Sequence, residues 1–150
     1  MSAAFIKTLP EPIKIWSAKA ISGIIVADGK VTDAELSILR ESISFLDDGD
    51  MVNEIVEMVK DRQKPQLEVL KTDRKTASNI LMALAVVTLT DDKLSPQEIQ
   101  YFNYIAAKLG FETGFAKLVI NWGREFILLN KRKKEILNKG EKTRPIYVSI

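Results

Sequence analysis

Asp28-Gly29-Lys30-Val31-Thr32-Asp33-Ala34-Glu35 returns 63 positions later as Asp91-Asp92-Lys93-Leu94-Ser95-Pro96-Gln97-Glu98. Both octets read Asp, any residue, Lys, an aliphatic, a hydroxyl, two free positions and Glu. An apolar stretch precedes each copy, Ile21 to Ala27 and Leu81 to Leu89. A second stretch with helical spacing follows each: Leu36, Leu39, Ile43 and Leu46 in the first, Ile99, Phe102, Ala106 and Leu109 in the second. The repeated object is therefore a whole helix-turn-helix unit, and its duplication brings two copies of one acidic turn into a single chain.

Helix boundaries follow from the residues around the octets. Apolar positions 13, 16, 20, 24 and 27 describe an amphipathic helix opened by Glu11-Pro12 and broken by Asp28-Gly29. Thr32 with Glu35 forms a capping box that starts a helix over about 33–46. Asp47-Asp48-Gly49-Asp50 is a turn, and Val52, Ile55, Val56 and Val59 mark the third helix. Lys64-Pro65 interrupts, and Leu67 with Leu70 suggests a short helical turn. Thr72 or Asp73 opens the fourth helix, the most apolar, with Ala77, Ile80, Leu81 and Leu84 inside. Ser95-Pro96-Gln97-Glu98 starts the fifth, with Pro at the first helical position, and Leu109-Gly110 ends it. The sixth starts near Thr113 with a core stripe of Phe115, Leu118, Val119, Trp122, Phe126 and Leu129, and can continue into the basic segment until Gly140 and Pro145. Ile146 to Ile150 is β-prone without a partner. The expected fold is all-α: a bundle of about six helices with an internal pseudo-two-fold repeat of helical hairpins. It forms one domain over 1–150, with a core of about 12–138 and a basic segment and tail over 131–150.

Composition narrows the chemistry. The chain has 150 residues, 46% of them hydrophobic and 28% charged, with neither histidine nor cysteine. Thiol nucleophiles, disulfides, Cys/His zinc sites and Ser-His-Asp triads are therefore excluded together. No apolar run approaches the ~20 residues of a membrane span, and the N-terminal stretch lacks a signal-peptide layout, so a cytoplasmic location is expected. The formal charge of +2 hides an asymmetry. Residues 1–60 hold 6 basic and 10 acidic side chains, whereas residues 111–150 hold 9 basic and 4 acidic ones.

Two readings of the repeated turn stand. Asp28, Thr32 and Glu35 with Asp91, Ser95 and Glu98 are hard oxygen donors of the kind that Ca²⁺ or Mg²⁺ takes, and two octets together approach the ~6–8 ligands of Ca²⁺. A single octet is shorter than the ~12-residue EF-hand loop and lacks its ligand spacing. On the other reading the same residues only stop one helix and cap the next. Lys131, Arg132, Lys133 and Lys134 form a second candidate surface, beside Phe126 to Leu129, where a continuing helix could dock on a protein or lie on an anionic membrane. The competing reading there is a solvated helix end that complements the helix dipole. The aromatics that could stack on bases, Trp122 and Phe126, fall on the core stripe, so no nucleic-acid partner is expected. No nucleophile, phosphate-cradling glycine loop or substrate pocket is readable, so the chain is expected not to be an enzyme.

Ala27-Asp28-Gly29-Lys30-Val31-Thr32-x-x-Glu35, Thr90-Asp91-Asp92-Lys93-Leu94-Ser95-x-x-Glu98 and Ile105-Ala106-Ala107-Lys108-Leu109-Gly110 resemble the tellurite-resistance TerB family over about residues 13–125. They are also similar to domains in some membrane-anchored J-domain co-chaperones. The resemblance implies a bacterial, all-α protein of tellurite or general stress response. It further implies that a divalent cation, Ca or Mg, is bound through Asp28, Glu35, Asp91 and Glu98, with Thr32 and Ser95 in support, and a location in the cytoplasm or peripheral to the inner membrane. Two features depart from the family's pattern: Asp92 stands where glycine is usual, and the pI near 8.8 replaces a strongly acidic surface.

Overall fold

A computed structural model of the chain describes residues 2–27, 29–88 and 95–148. Among them are seven helices: α1 (Ser2–Lys7), α2 (Glu11–Val26), α3 (Asp33–Ser42), α4 (Gly49–Lys60), α5 (Arg74–Thr88), α6 (Pro96–Lys108) and α7 (Thr113–Glu141). No strand occurs among the described residues, and Ile146 to Val148 are exposed and carry no regular secondary structure. The all-α expectation holds. One helix beyond the expected set is α1, which lies ahead of Pro10 and seats a fully buried Ile6 against α5.

Two helices, α2 and α5, form the middle of the bundle. α2 packs on α3, α4, α5 and α6, and α5 packs on α1, α2 and α7. Being surrounded, α2 buries residues on most of its circumference rather than on one stripe. Its buried hydroxyls are satisfied locally, Ser17 donating to the Ile13 carbonyl at 2.8 Å and Ser22 to the Ala18 carbonyl at 2.7 Å. Lys14 is buried as well, and its ammonium meets Glu11 at 3.8 Å and Asp47 at 3.5 Å, which ties α2 to the turn before α4. Buried lysine is tolerated only with such partners.

Between α4 and α5 the chain is not helical. The Leu67–Leu70 stretch is neither helix nor strand, and its backbone is bonded to side chains and backbone from elsewhere: Trp16 Nε1 donates to the Glu68 carbonyl at 2.7 Å and Leu70 N–H donates to the Lys108 carbonyl at 2.9 Å. Leu67 is buried at 2% exposure, so a tertiary dock replaces the local turn that its spacing suggested. Asp73 then caps α5 by accepting from Thr76 N–H at 3.0 Å. Bonds from the Thr76 side chain and backbone hold the Asp73 carboxyl below its ordinary pKa.

Some helix ends follow the sequence signals and others do not. Gly110 takes a left-handed φ of 85°, and N–H groups of Gly110 and Phe111 donate to the carbonyls of Ala107 and Ala106, the paired bonds of a Schellman cap on α6. The same cap closes α4, with N–H groups of Arg62 and Gln63 donating to Val59 and Met58, but there the left-handed residue is Arg62 at φ 59°. α3 stops at Ser42, earlier than the periodicity suggests, because Ile43 to Phe45 form a turn that still buries Ile43 and Phe45. α7 runs on through the basic segment, and Gly140 is inside it rather than at its end.

Candidate functional site

The hydroxyls and glutamates of the two acidic turns serve as helix caps. Glu35 N–H donates to Thr32 Oγ1 at 3.1 Å, and the Thr32 hydroxyl reaches Glu35 Oε1 at 3.2 Å. In the second turn Glu98 N–H donates to Ser95 Oγ at 3.2 Å, while Ser95 N–H donates to Glu98 Oε1 at 3.1 Å, a complete capping box. Each glutamate therefore spends at least one oxygen on its own helix start. Asp28 and Asp91, the other two expected metal ligands, lie outside the described residues. Among the described residues no group of three or more Asp or Glu side chains is placed to hold a metal ion.

The basic segment is arranged differently. The first half of α7 packs on α5 and α6 through Ala116, Val119, Ile120 and Gly123, with Ile127 half-buried at the end of that line. These are small or β-branched residues, which let the helix lie close to its neighbours. Continued along the helix, the same line carries Asn130, Lys131, Lys134, Asn138 and Glu141, all exposed. Nothing apolar remains to hold α7 on the body, so its distal half projects as an arm. From Leu128 to Glu141 the arm is 14 residues, about 20 Å at ~1.5 Å per residue.

A second apolar line runs along α7 beside the core line. It comprises Leu118, Trp122, Phe126, Leu129, Ile136 and Leu137, and the Trp122 and Phe126 rings stack with centroids 5.5 Å apart. This is most of the stripe expected to be core. Leu118, Leu129 and Ile136 are instead 67%, 64% and 67% exposed, and only Trp122 and Phe126 are half-buried. Lys133 interrupts the line, Arg132 and Lys139 flank it, and Lys131 and Lys134 lie farther round, all exposed. Over residues 124–144 there are eight basic and three acidic side chains. The four expected partner-binding residues, Lys131, Arg132, Lys133 and Lys134, are thus brought onto one projecting amphipathic helix. No described helix is both long and apolar enough to cross a membrane.

Two further concavities escaped the sequence reading. A cleft of about 200 Å³ is lined by Ala27, Lys64, Gln97, Gln100, Tyr101 and Tyr104. The Tyr101 hydroxyl is buried without a hydrogen-bond partner, and burial raises its pKa to about 12. That ring lies in the notch left by Gly23 on α2. The other is a groove of about 590 Å³ between α3 and α4, with Leu36 and Val56 among its lining and both carboxylates (Asp33, Glu41, Glu57) and cations (Arg40, Lys60) around it. A glycine at position 23 inside an apolar helix was the readable signal for the first; the second depends on how α3 meets α4, which a single sequence does not show.

Comparison with protein-family models, with curated proteins and with solved structures gives no match.

Proposed function

We propose that this chain is a non-enzymatic helical module that attaches to anionic membrane surfaces through the distal half of α7. The observation that carries the reading is the exposed line of Leu129, Ile136 and Leu137 on a helix whose surroundings hold eight basic and three acidic side chains. An apolar stripe flanked by Lys and Arg is the pattern of a helix that lies in the lipid interface. Lys133, on the stripe itself, can lay its methylenes along the apolar line and extend its ammonium to the headgroups. With about 1 kcal/mol per basic residue near an anionic leaflet, the net excess of five contributes roughly 5 kcal/mol, and the three aliphatic side chains add to it. Exposed Ile146, Tyr147 and Val148 supply further apolar contact just beyond the helix.

Co-sedimentation of the full chain with phosphatidylserine-containing and with purely zwitterionic vesicles tests this. Binding to the anionic vesicles alone, lost in Arg132→Glu/Lys133→Glu/Lys134→Glu, is expected. Equal binding to both kinds of vesicle, or to neither, refutes it.

The matched caps favour a second reading, the TerB-like one. Thr32 with Glu35 and Ser95 with Glu98 repeat the same cap bond at 3.1 and 3.2 Å, the local likeness expected of two copies of one helix start within a stress-response domain. Cation binding by Asp28, Glu35, Asp91 and Glu98 belongs to this reading, although the capping role already accounts for two of the four carboxylates. A rise in thermal stability with millimolar Ca²⁺ or Mg²⁺ tests it, since a native-state ligand at about 100 times its Kd adds roughly 2.7 kcal/mol. An unchanged melting temperature removes it.

A further inference from the structure

We infer that on an anionic membrane this chain lies along the length of α7 instead of hanging from its arm, so that Leu118, Trp122 and Phe126, on the body of the bundle, enter the lipid interface together with the arm. The inference rests on the lipid reading above. It goes further in naming body residues that touch lipid and in fixing how the bundle is held against the surface.

The argument begins with the helix itself. α7 is unbroken from Thr113 to Glu141, so one line of side chains runs on across the point where the helix leaves the body. At ~100° per residue, Leu118, Trp122, Phe126, Leu129, Ile136 and Leu137 fall within an arc of about 100°. That arc is centred about 100° round the helix from Ala116, Val119, Ile120 and Gly123, the residues that pack on α5 and α6. The line therefore stands to one side of the bundle along its whole course. From Leu118 to Leu137 it measures about 30 Å at ~1.5 Å per residue. Its start is as open as its end, since Leu118 and Ile136 are each 67% exposed.

Residue types at the two ends complement each other. Arg132, Lys133 and Lys139 accompany the distal part, and residues 124–144 hold eight basic and three acidic side chains. Along the proximal part the flanking charge is Glu125, and the line is carried by Leu118 and the stacked rings of Trp122 and Phe126, both half-buried. Tryptophan is enriched where membrane meets water, because an apolar ring and a polar N–H suit that boundary. The arm thus supplies attraction to anionic headgroups, and the proximal line supplies apolar contact without a cation beside it. A bilayer serves both ends at once. A second copy laid line to line would set two basic helices against each other. Attachment through the arm alone would leave Leu118 and the open sides of both rings in water, although they continue the same line.

Tryptophan fluorescence of the full chain, titrated with phosphatidylserine-containing vesicles, tests this. Trp16 is 6% exposed and donates to the Glu68 carbonyl, so it contributes a constant background that a Trp122→Phe variant records. The expected result is a shift of Trp122 emission to shorter wavelength, with quenching by brominated acyl chains. Leu118→Gln, at an exposed position on the body, should weaken vesicle binding about tenfold. The factor should be the same at about 0.05 M and about 0.15 M NaCl, because the change removes apolar contact and no charge. Anionic vesicles that bind the chain while Trp122 emission stays unshifted and unquenched overturn the inference and leave the lipid reading standing, since the arm alone then attaches. Wild-type affinity in Leu118→Gln overturns it in the same way. Absence of binding to anionic vesicles overturns both. A shift of Trp122 emission that grows with protein concentration in the absence of vesicles means that a second copy covers the line, and this too overturns the inference.

Discussion

Replacing Gly23 with alanine should destabilise this fold even though alanine is the better helix former. Gly23 is buried within α2, and a Cβ there would collide with the Tyr101 ring of α6. In an open helix the substitution gains about 1 kcal/mol. Here the ring must leave its notch. Overpacking of that kind costs ~1–3 kcal/mol, and the displaced ring also gives up part of its contact with Tyr104, whose centroid lies 5.4 Å away. A net loss of about 2 kcal/mol follows, or roughly 5 °C in Tm for a domain of this size. In a Tyr101→Ala background the collision disappears and helix propensity acts alone, so the same change should stabilise by about 1 kcal/mol. The sign reverses between backgrounds, which gives a coupling of about 3 kcal/mol in a double-mutant cycle. Thermal and urea unfolding of the four proteins measures it. Equal destabilisation in both backgrounds, or stabilisation of the wild type by Gly23→Ala, would show that the ring does not occupy the notch.

Arg62→Gly should raise stability by about 1 kcal/mol in urea unfolding, because Arg62 holds a left-handed φ of 59° that costs a side-chain-bearing residue ~1–2 kcal/mol. Ser95→Ala and Thr32→Ala should each lower it by about 1 kcal/mol; a clearly smaller loss at Thr32 would break the equivalence of the two turns. Tyr101→Phe removes a buried hydroxyl that has no partner, so stability at neutral pH should be unchanged or slightly higher. The folded-state pKa of Tyr101 is about 12 against an ordinary 10.0, so the wild type binds more protons folded than unfolded between those values. Its stability should therefore begin to fall near pH 10 and go on falling towards pH 12, relative to Tyr101→Phe. Parallel curves for the two proteins would show that the hydroxyl titrates normally.

Where a helix end is fixed by local chemistry, the sequence was a good guide. Thr32-x-x-Glu35 and Ser95-x-x-Glu98 start helices because a side-chain oxygen and a backbone N–H three residues on need no distant partner. Gly110 ends α6 for the same reason, since its left-handed φ is a local requirement. Segments held by distant groups were not legible. Leu67 to Leu70 has an apolar spacing that suits a helical turn, yet Trp16 and Lys108 claim its backbone from other elements. α1 was missed because six residues ahead of Pro10 carry too little periodicity; Ile6 is buried only because α5 is there to cover it.

α7 shows why the candidate site was harder to read than the fold. Its proximal half has two adjacent apolar lines, and bulk favours the wrong one: Leu118, Trp122 and Phe126 outweigh Ala116, Val119, Ile120 and Gly123 in any hydrophobicity count. Close packing reverses the choice, because small residues bring the helix axis nearer to α5 and α6 and bury more backbone. Beyond Ile127 the two lines diverge in composition, one turning to Asn130, Lys134 and Asn138 while the other keeps Leu129, Ile136 and Leu137. A helix that needed only to stop could have ended near Asn130. This one continues for about three more turns with its packing line polar and its apolar line, broken at Lys133, kept by Leu129, Ile136 and Leu137, so that about 20 Å of amphipathic helix is exposed. On the proposed reading an anionic surface would cover the exposed Leu and Ile side chains and pair the charge beside them.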